Sequence, residues 1–239
     1  MRVNKYISEA GLCSRREADE WLLAGRVSIN GEVVGTGAKA LDGDEVRVDG
    51  EIVRARVLAA TPAAKKAIYI ALNKPVGITC TTDQTVAGNI VDFVDHPQRI
   101  FPIGRLDKDS EGLILLTSNG DIVNEILRAE NHHEKEYLVG VNKAVTDEFI
   151  AGMGKGVRIH GQLTQRCRVR RIAKFGFSIV LTQGLNRQIR LMAAAFGYRV
   201  TQLRRVRIDN VKLAHLKPGQ WRNLTEAELK GLLPGRTQW

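Results

Sequence analysis

The chain has 239 residues, 44% of them hydrophobic and 26% charged, an ordinary balance for a globular protein with one large domain or two smaller ones. No stretch reaches the length of a membrane span, and Met1-Arg2-Val3-Asn4-Lys5 leads into a helical pattern rather than a secretory leader, which sets membrane and secreted classes aside. Lys and Arg total 36 against 26 Asp and Glu, a net +10 that favours a polyanionic partner without separating RNA from DNA or from an acidic membrane surface.

The first fifty or so residues read as a small module. Val3, Ile7 and Ala10 share one helical face, and Gly11 stops the helix. Ser14 with Glu17 three places on forms a capping box for a second helix carrying Ala18, Trp21 and Leu22, which Gly25 ends. Val27 to Val34 alternates around Asn30-Gly31, the signature of a tight hairpin, and Asp44 to Gly50 supplies another strand. Lys5, Arg15, Arg16 and Arg26 give these early elements a basic face.

Residues 55–67, rich in Ala with Pro62, Lys65 and Lys66, read as a linker between a module at 1–54 and a larger domain at 68–239. Ile68 to Leu72 is a buried-type strand closed by Asn73-Lys74-Pro75-Val76-Gly77. Beyond it, strands at 113–116, 137–141 and 178–181 alternate with helices expected over 121–129 and 186–196. The fold class is α+β, with a mainly antiparallel sheet in the larger domain. Cys13, Cys80 and Cys167 are odd in number and far apart, so they read as packing residues in a reducing cytoplasm. No metal is expected, since adjacent His132-His133 lack ligand spacing. No nucleotide loop is expected at Gly152 to Gly156, which lacks the Gly-Lys-Ser/Thr ending.

Gly104-Arg105-Leu106-Asp107-Lys108-Asp109-Ser110-Glu111-Gly112-Leu113 concentrates acids and cations in one polar turn between apolar Phe101-Pro102-Ile103 and Leu113-Ile114-Leu115-Leu116. A charged loop clamped between buried segments can hold one acid still as a nucleophile or base. By composition alone the turn would be a solvated one.

Residues 2–48 resemble the S4 RNA-binding domain, through Val3-Asn4-Lys5-Tyr6-Ile7, Ser14-Arg15-Arg16-Glu17-Ala18 and Gly25 to Gly31. Gly104 to Leu113 resembles the active-site motif of one group of pseudouridine synthases, which comprises the ribosomal small-subunit synthase A and the large-subunit synthases B, E and F. The resemblance runs to about residue 230, and the runs at 105–110, 133–137 and 184–188 are most similar to the large-subunit synthase F type. It implies an S4-type domain followed by a synthase catalytic domain, and an isomerase that turns a uridine of large-subunit ribosomal RNA into pseudouridine. Some members of the group also act on a tRNA. No cofactor is implied, and a monomer is expected.

The resemblance further implies that Asp107, Tyr137 and Arg190 converge as catalytic residues. A uridine in folded RNA hides its glycosidic bond, so the base must be flipped out. Tyr137 would stack on it, Asp107 would attack or deprotonate the ribose, and Arg190 would hold the carboxylate charged and aimed, with Arg105 as substitute. Without the resemblance, Tyr137 would be a core aromatic and Arg190 a solvated helix charge. Arg187 reads as a phosphate contact, and Asp109 as a turn or capping acid. Leu203 to Ile208 is expected as a strand whose basic face, with Arg204 and Arg205, lines the RNA cleft. Lys5, Arg15, Arg16, Arg26 and Arg105 complete the expected RNA contacts. Leu191-Met192 stands where many relatives carry a second Arg, a departure bearing on RNA contact more than on chemistry. Two other readings remain: a non-catalytic RNA-binding or ribosome-assembly factor with the same fold, and a nucleoside hydrolase that would release free uracil.

Overall fold

The computed structural model describes residues 1–53, 67–120, 122, 123, 126 and 133–235. The chain divides into two compact units, Met1–Lys66 and Ala67–Trp239. The linker expected over 55–67, Ala67 apart, and most of the helix expected over 121–129 lie outside the described residues.

In the first unit the helices are Val3–Glu9 and Arg15–Leu23. Ser14 Oγ accepts from the Glu17 amide at 3.2 Å and Glu17 accepts from the Ser14 amide at 3.4 Å, so both halves of the capping box form. Such a cap contributes about 1 kcal/mol. Val3, Ile7, Ala18 and Leu22 meet Val27, Val46 and Val48 in one apolar core. Strands β1 (Val27–Ile29), β2 (Glu32–Val33), β3 (Val46–Val48) and β4 (Glu51–Ile52) form a sheet ordered β2-β1-β3-β4. Asn30 and Gly31 link β1 to β2 with φ of 52° and 87°, the left-handed pair that a two-residue hairpin of matching twist requires.

The second unit holds β5 (Tyr69–Lys74), β6 (Phe101–Ile103), β7 (Glu111–Thr117), β8 (Lys135–Val141), β9 (Arg158–Ile159), β10 (Gln162–Leu163), β11 (Arg168–Ala173), β12 (Gly176–Leu181), β13 (Val200–Ile208), β14 (Val211–Lys212) and β15 (Trp221–Asn223). Among the described residues, β9 and β10 pair apart, and the rest make a nine-stranded sheet with the path β11-β12-β8-β13-β7-β5-β15. Every pairing in that sheet is antiparallel except β13 with β7.

Strand β5 is buried on both faces, which its apolar run demands. Tyr69 and Ala71 pack with Leu113 and Leu115 against Leu229 and Leu232 of the helix Glu226–Leu232. Ile70 and Leu72 pack on the other side with Ile114 and Leu116 against Ile90 and Val94 of the helix Ile90–Val94. The far half of the sheet buries Val139, Phe177, Ile179 and Leu203 under Phe149 and Met153 of the helix Asp147–Lys155 and Ile189 and Met192 of the helix Gln188–Ala195. Burial of side chains of this size stabilises by about 1.5–3 kcal/mol each.

The two halves are joined by a short parallel seam, Arg204 with Glu111 and Arg205 with Gly112. Gly112 has φ +108°, and a methyl there would overlap the Arg205 carbonyl oxygen and stand 2.7 Å from its amide nitrogen. Only glycine fits this crossing. Pairing is regular from Leu203 to Arg205, so alternation puts Arg205 on the same buried face as Leu203 and the basic face expected there does not form; the register shift lies beyond it, between Arg205 and Arg207. Arg205 turns inward and is 3% exposed, which removes it from the expected RNA-lining set. Arg207 pairs with Glu134 at 3.0 Å and Glu136 at 2.9 Å.

Candidate active site

The 104–110 loop is pinned at both ends, because β6 and β7 pair from Phe101 with Thr117 to Ile103 with Leu115. Leu106 is buried beside Cys80, whose Sγ accepts from the Leu106 amide at 3.4 Å. The Ser110 amide closes the turn on the Asp107 carbonyl at 3.0 Å, and the Gly77 amide donates to the Lys108 carbonyl at 2.8 Å. Asp107 therefore stands on a fixed backbone with its side chain 29% exposed, open to a substrate.

Two guanidiniums face it. Arg190 Nε and Arg187 Nη1 each lie 3.8 Å from Asp107 Oδ2. Arg190 is 14% exposed and strongly held: Nη2 donates to the Asp109 carbonyl at 3.1 Å and to Ser110 Oγ at 3.2 Å. Its Nε is buried and makes no hydrogen bond among the described residues, so it is the Arg190 donor left for Asp107. Arg187 is 47% exposed and also reaches the Asp109 carboxylate at 3.5 Å. Asp109 binds Arg190 at 3.3 Å as well, which ties the loop to both arginines.

The 184–187 turn that delivers these arginines has its own lock. Buried Gln188 accepts from the Leu185 amide at 3.0 Å, and Arg187 takes a left-handed φ of 50° directly before the helix. Sequence reading did not single out Gln188, although an amide just inside a helix start is a recognisable capping signal.

Tyr137 lies on β8 and packs against the far-half core and against the cluster that contains Leu106, the neighbour of Asp107. Arg205 Nη1 donates to its hydroxyl at 3.5 Å, and the guanidinium carbon lies 5.9 Å from the ring centroid. Lys74 was also missed. It is fully buried, donating from Nζ to the Pro75 and Ile78 carbonyls at 2.8 Å each. Burial pulls its ammonium below the usual lysine range, Cys80, Asp109 and Asp107 push the other way, and Arg205 adds to the lowering. A strand-terminal Lys-Pro in an apolar context was the available signal.

The other expected residues are dispersed. Arg105 is exposed on the Asp107 loop, and Arg204 is half-buried on β13. In the first unit Arg15 and Arg16 are exposed at the start of their helix and Lys5 is half-buried. Arg26 forms a two-pronged bond with Asp49 and lies 4.9 Å over the Trp21 ring, so its charge is largely committed inside the unit. All three cysteines pack against cores as expected, and burial raises the Cys80 thiol and pushes Cys167 up to about 11. Among the described residues no helix is long and apolar enough to cross a membrane.

Comparison with known proteins agrees with this architecture. Residues 68–195 match the RNA pseudouridylate synthase family and residues 1–46 match the S4 domain. The chain is 57% identical over 228 residues to the dual-specificity RNA pseudouridine synthase RluF of Salmonella typhi, covering 95% of this chain and 77% of that protein. It is 32% identical to the ribosomal large subunit pseudouridine synthase B of Bacillus subtilis, covering 97% and 95% respectively. A solved pseudouridylate synthase superposes with a TM-score of 0.70 at 30% identity, over 98% of this chain and all of that one. These matches support the isomerase over the non-catalytic factor with the same fold. The chain belongs to the RNA pseudouridine synthase family, carrying an S4 domain ahead of its catalytic domain.

Proposed function

We propose that Asp107, Arg190 and Tyr137 carry the isomerisation and that the substrate is a uridine of large-subunit ribosomal RNA, with a tRNA as a second substrate. The observation that carries the first part is the carboxylate of Asp107, partly open and faced by Arg190 and Arg187 at 3.8 Å each. A flipped uridine stacked on the Tyr137 ring would bring its ribose toward that carboxylate. Asp107 then attacks the sugar or removes a ribose proton, the C1′–N1 bond breaks, the uracil turns in place and bonds C1′ through carbon as Asp107 is released; the proton on that carbon is lost and N1 takes one up. Arg190 balances the carboxylate's charge and fixes its direction; a bidentate-capable guanidinium suits that task better than an ammonium.

The substrate assignment draws on the relatives, one named for the large ribosomal subunit and one for dual specificity. Arg15, Arg16, Lys5, Arg26, Arg105, Arg187 and Arg204 are the proposed RNA contacts, supplying the salt-dependent share of binding. The test is to incubate the protein with unmodified ribosomal RNA and with tRNA and to map pseudouridine by carbodiimide reactivity. Wild type is expected to modify one ribosomal site and one tRNA site, and Asp107→Asn neither. Full activity of Asp107→Asn would remove Asp107 from the chemistry, and tRNA modification alone would remove the ribosomal substrate.

A further inference from the structure

We propose that Arg205 is a positioning residue for the reaction, acting through Tyr137 rather than on RNA. The inference rests on the catalytic reading of Tyr137 given above. Arg205 is 3% exposed, so it cannot reach a phosphate. Its nitrogens are distributed in a telling way. Nε donates to the Leu113 carbonyl at 2.6 Å, where the parallel ladder between β13 and β7 has stopped. Nη1 donates to the Tyr137 hydroxyl at 3.5 Å, and Nη2 is buried with no hydrogen-bond partner among the described residues.

A buried guanidinium with no carboxylate partner among the described residues is costly, and an apolar side chain of the same length would serve packing better. What the guanidinium adds is direction. Arginine has only donors, so the Tyr137 oxygen must be the acceptor and its own proton must face away from Arg205. The cation also lies 5.9 Å from the ring centroid, so it restrains the tilt of the ring as well as the hydroxyl. Arg205 stands directly opposite Tyr137 across the β8–β13 ladder and opposite Gly112 across the seam. It thereby references the ring to the strand that leaves the Asp107 loop.

The test is a two-by-two comparison of wild type, Arg205→Met, Tyr137→Phe and the double variant, read as single-turnover rate at saturating RNA together with RNA affinity. Arg205→Met is expected to leave affinity within about twofold and to slow the reaction by about 10²-fold, the scale of a misplaced reacting group. In the Tyr137→Phe background the same change is expected to cost less than about threefold, because the hydroxyl it serves is gone. If Arg205→Met does not fold, Arg205→Lys takes its place in the same comparison. Equal slowing in both backgrounds, or weakened RNA affinity with an unchanged rate, overturns the inference while leaving Tyr137 in place. A Tyr137→Phe protein as fast as wild type overturns the inference, since no hydroxyl role remains to be positioned, and leaves the stacking ring in place; a Tyr137→Leu protein as fast as wild type overturns both.

Discussion

Gly112 and Arg205 meet backbone to backbone, and the contact leaves no room for a side chain on the glycine. Gly112→Ala adds a methyl into the Arg205 peptide at a left-handed φ. It is expected to destabilise the protein by roughly 2–4 kcal/mol, the combined scale of overpacking and backbone strain. The denaturant midpoint measures this. Activity at low temperature, where the variant is still folded, is expected to fall as well, because the seam shifts under Tyr137's partner.

Arg190 and Arg187 are equidistant from Asp107 but not equivalent. Arg190 is held by Ser110 Oγ and the Asp109 carbonyl, whereas Arg187 is half in solvent. Arg190→Met is expected to slow single turnover by about 10²-fold or more at saturating RNA, the cost of losing a preorganised electrostatic partner. Arg190→Lys is expected to recover little, since one ammonium cannot serve the loop and the carboxylate together. Arg187→Met is expected to act mainly on RNA affinity, which a filter-binding titration separates from rate.

In the first unit, Arg15 and Arg16 sit exposed at a capped helix start. Replacing both with Gln is expected to reduce the slope of log affinity against log salt by about 1.5, with the rate at saturation unchanged. Arg26→Gln is expected to reduce that slope by less than either helix arginine does and to lower stability as well, because Arg26 shares its charge with Asp49 and stacks on Trp21.

Glu228 gives a pH dependence with a defined sign. Hydrogen bonds from Arg222 at 2.6 and 2.7 Å, and from the Thr225 amide at 2.9 Å, hold its carboxyl below the usual glutamate range. A carboxyl with a depressed pKa in the fold adds stability above its unfolded value, and that stability is lost as pH falls through its folded value. Thermal unfolding between about pH 6 and about pH 3 should therefore show a steeper acid loss for wild type than for Glu228→Gln. An identical acid profile for the two proteins would remove Glu228 from the account.

Local features were the ones legible in the sequence. The Ser14-Glu17 box, the Asn30-Gly31 hairpin and the apolar runs of β5 and β7 are each set by residues within one element, and the structure reproduces them. The meeting of Asp107 with Arg190 came from family resemblance, because no local pattern brings together residues so far apart in sequence. Arg205 defeated the reading for a specific reason: alternation places it on the face of buried Leu203, but its charge argues for solvent, and a strand pattern carries no cue that a guanidinium is buried. Lys74 was hidden differently, since a buried lysine capping two carbonyls carries the same letters as a solvated one.

The seam also sets an order in time. Strand β7 with the Asp107 loop, and β8 with Tyr137, emerge from the ribosome well before β13, which among the described strands is the one that pairs with both. Until roughly residue 205 has left the exit tunnel, the two halves of the sheet have no common strand to hold them in register. A nascent chain of this protein can thus complete its first unit and hold an aspartate-bearing loop while still being chemically silent. Assembly of the site is late: β13 joins the two halves, and β15 with the helix Glu226–Leu232 then completes the β5–β7 side.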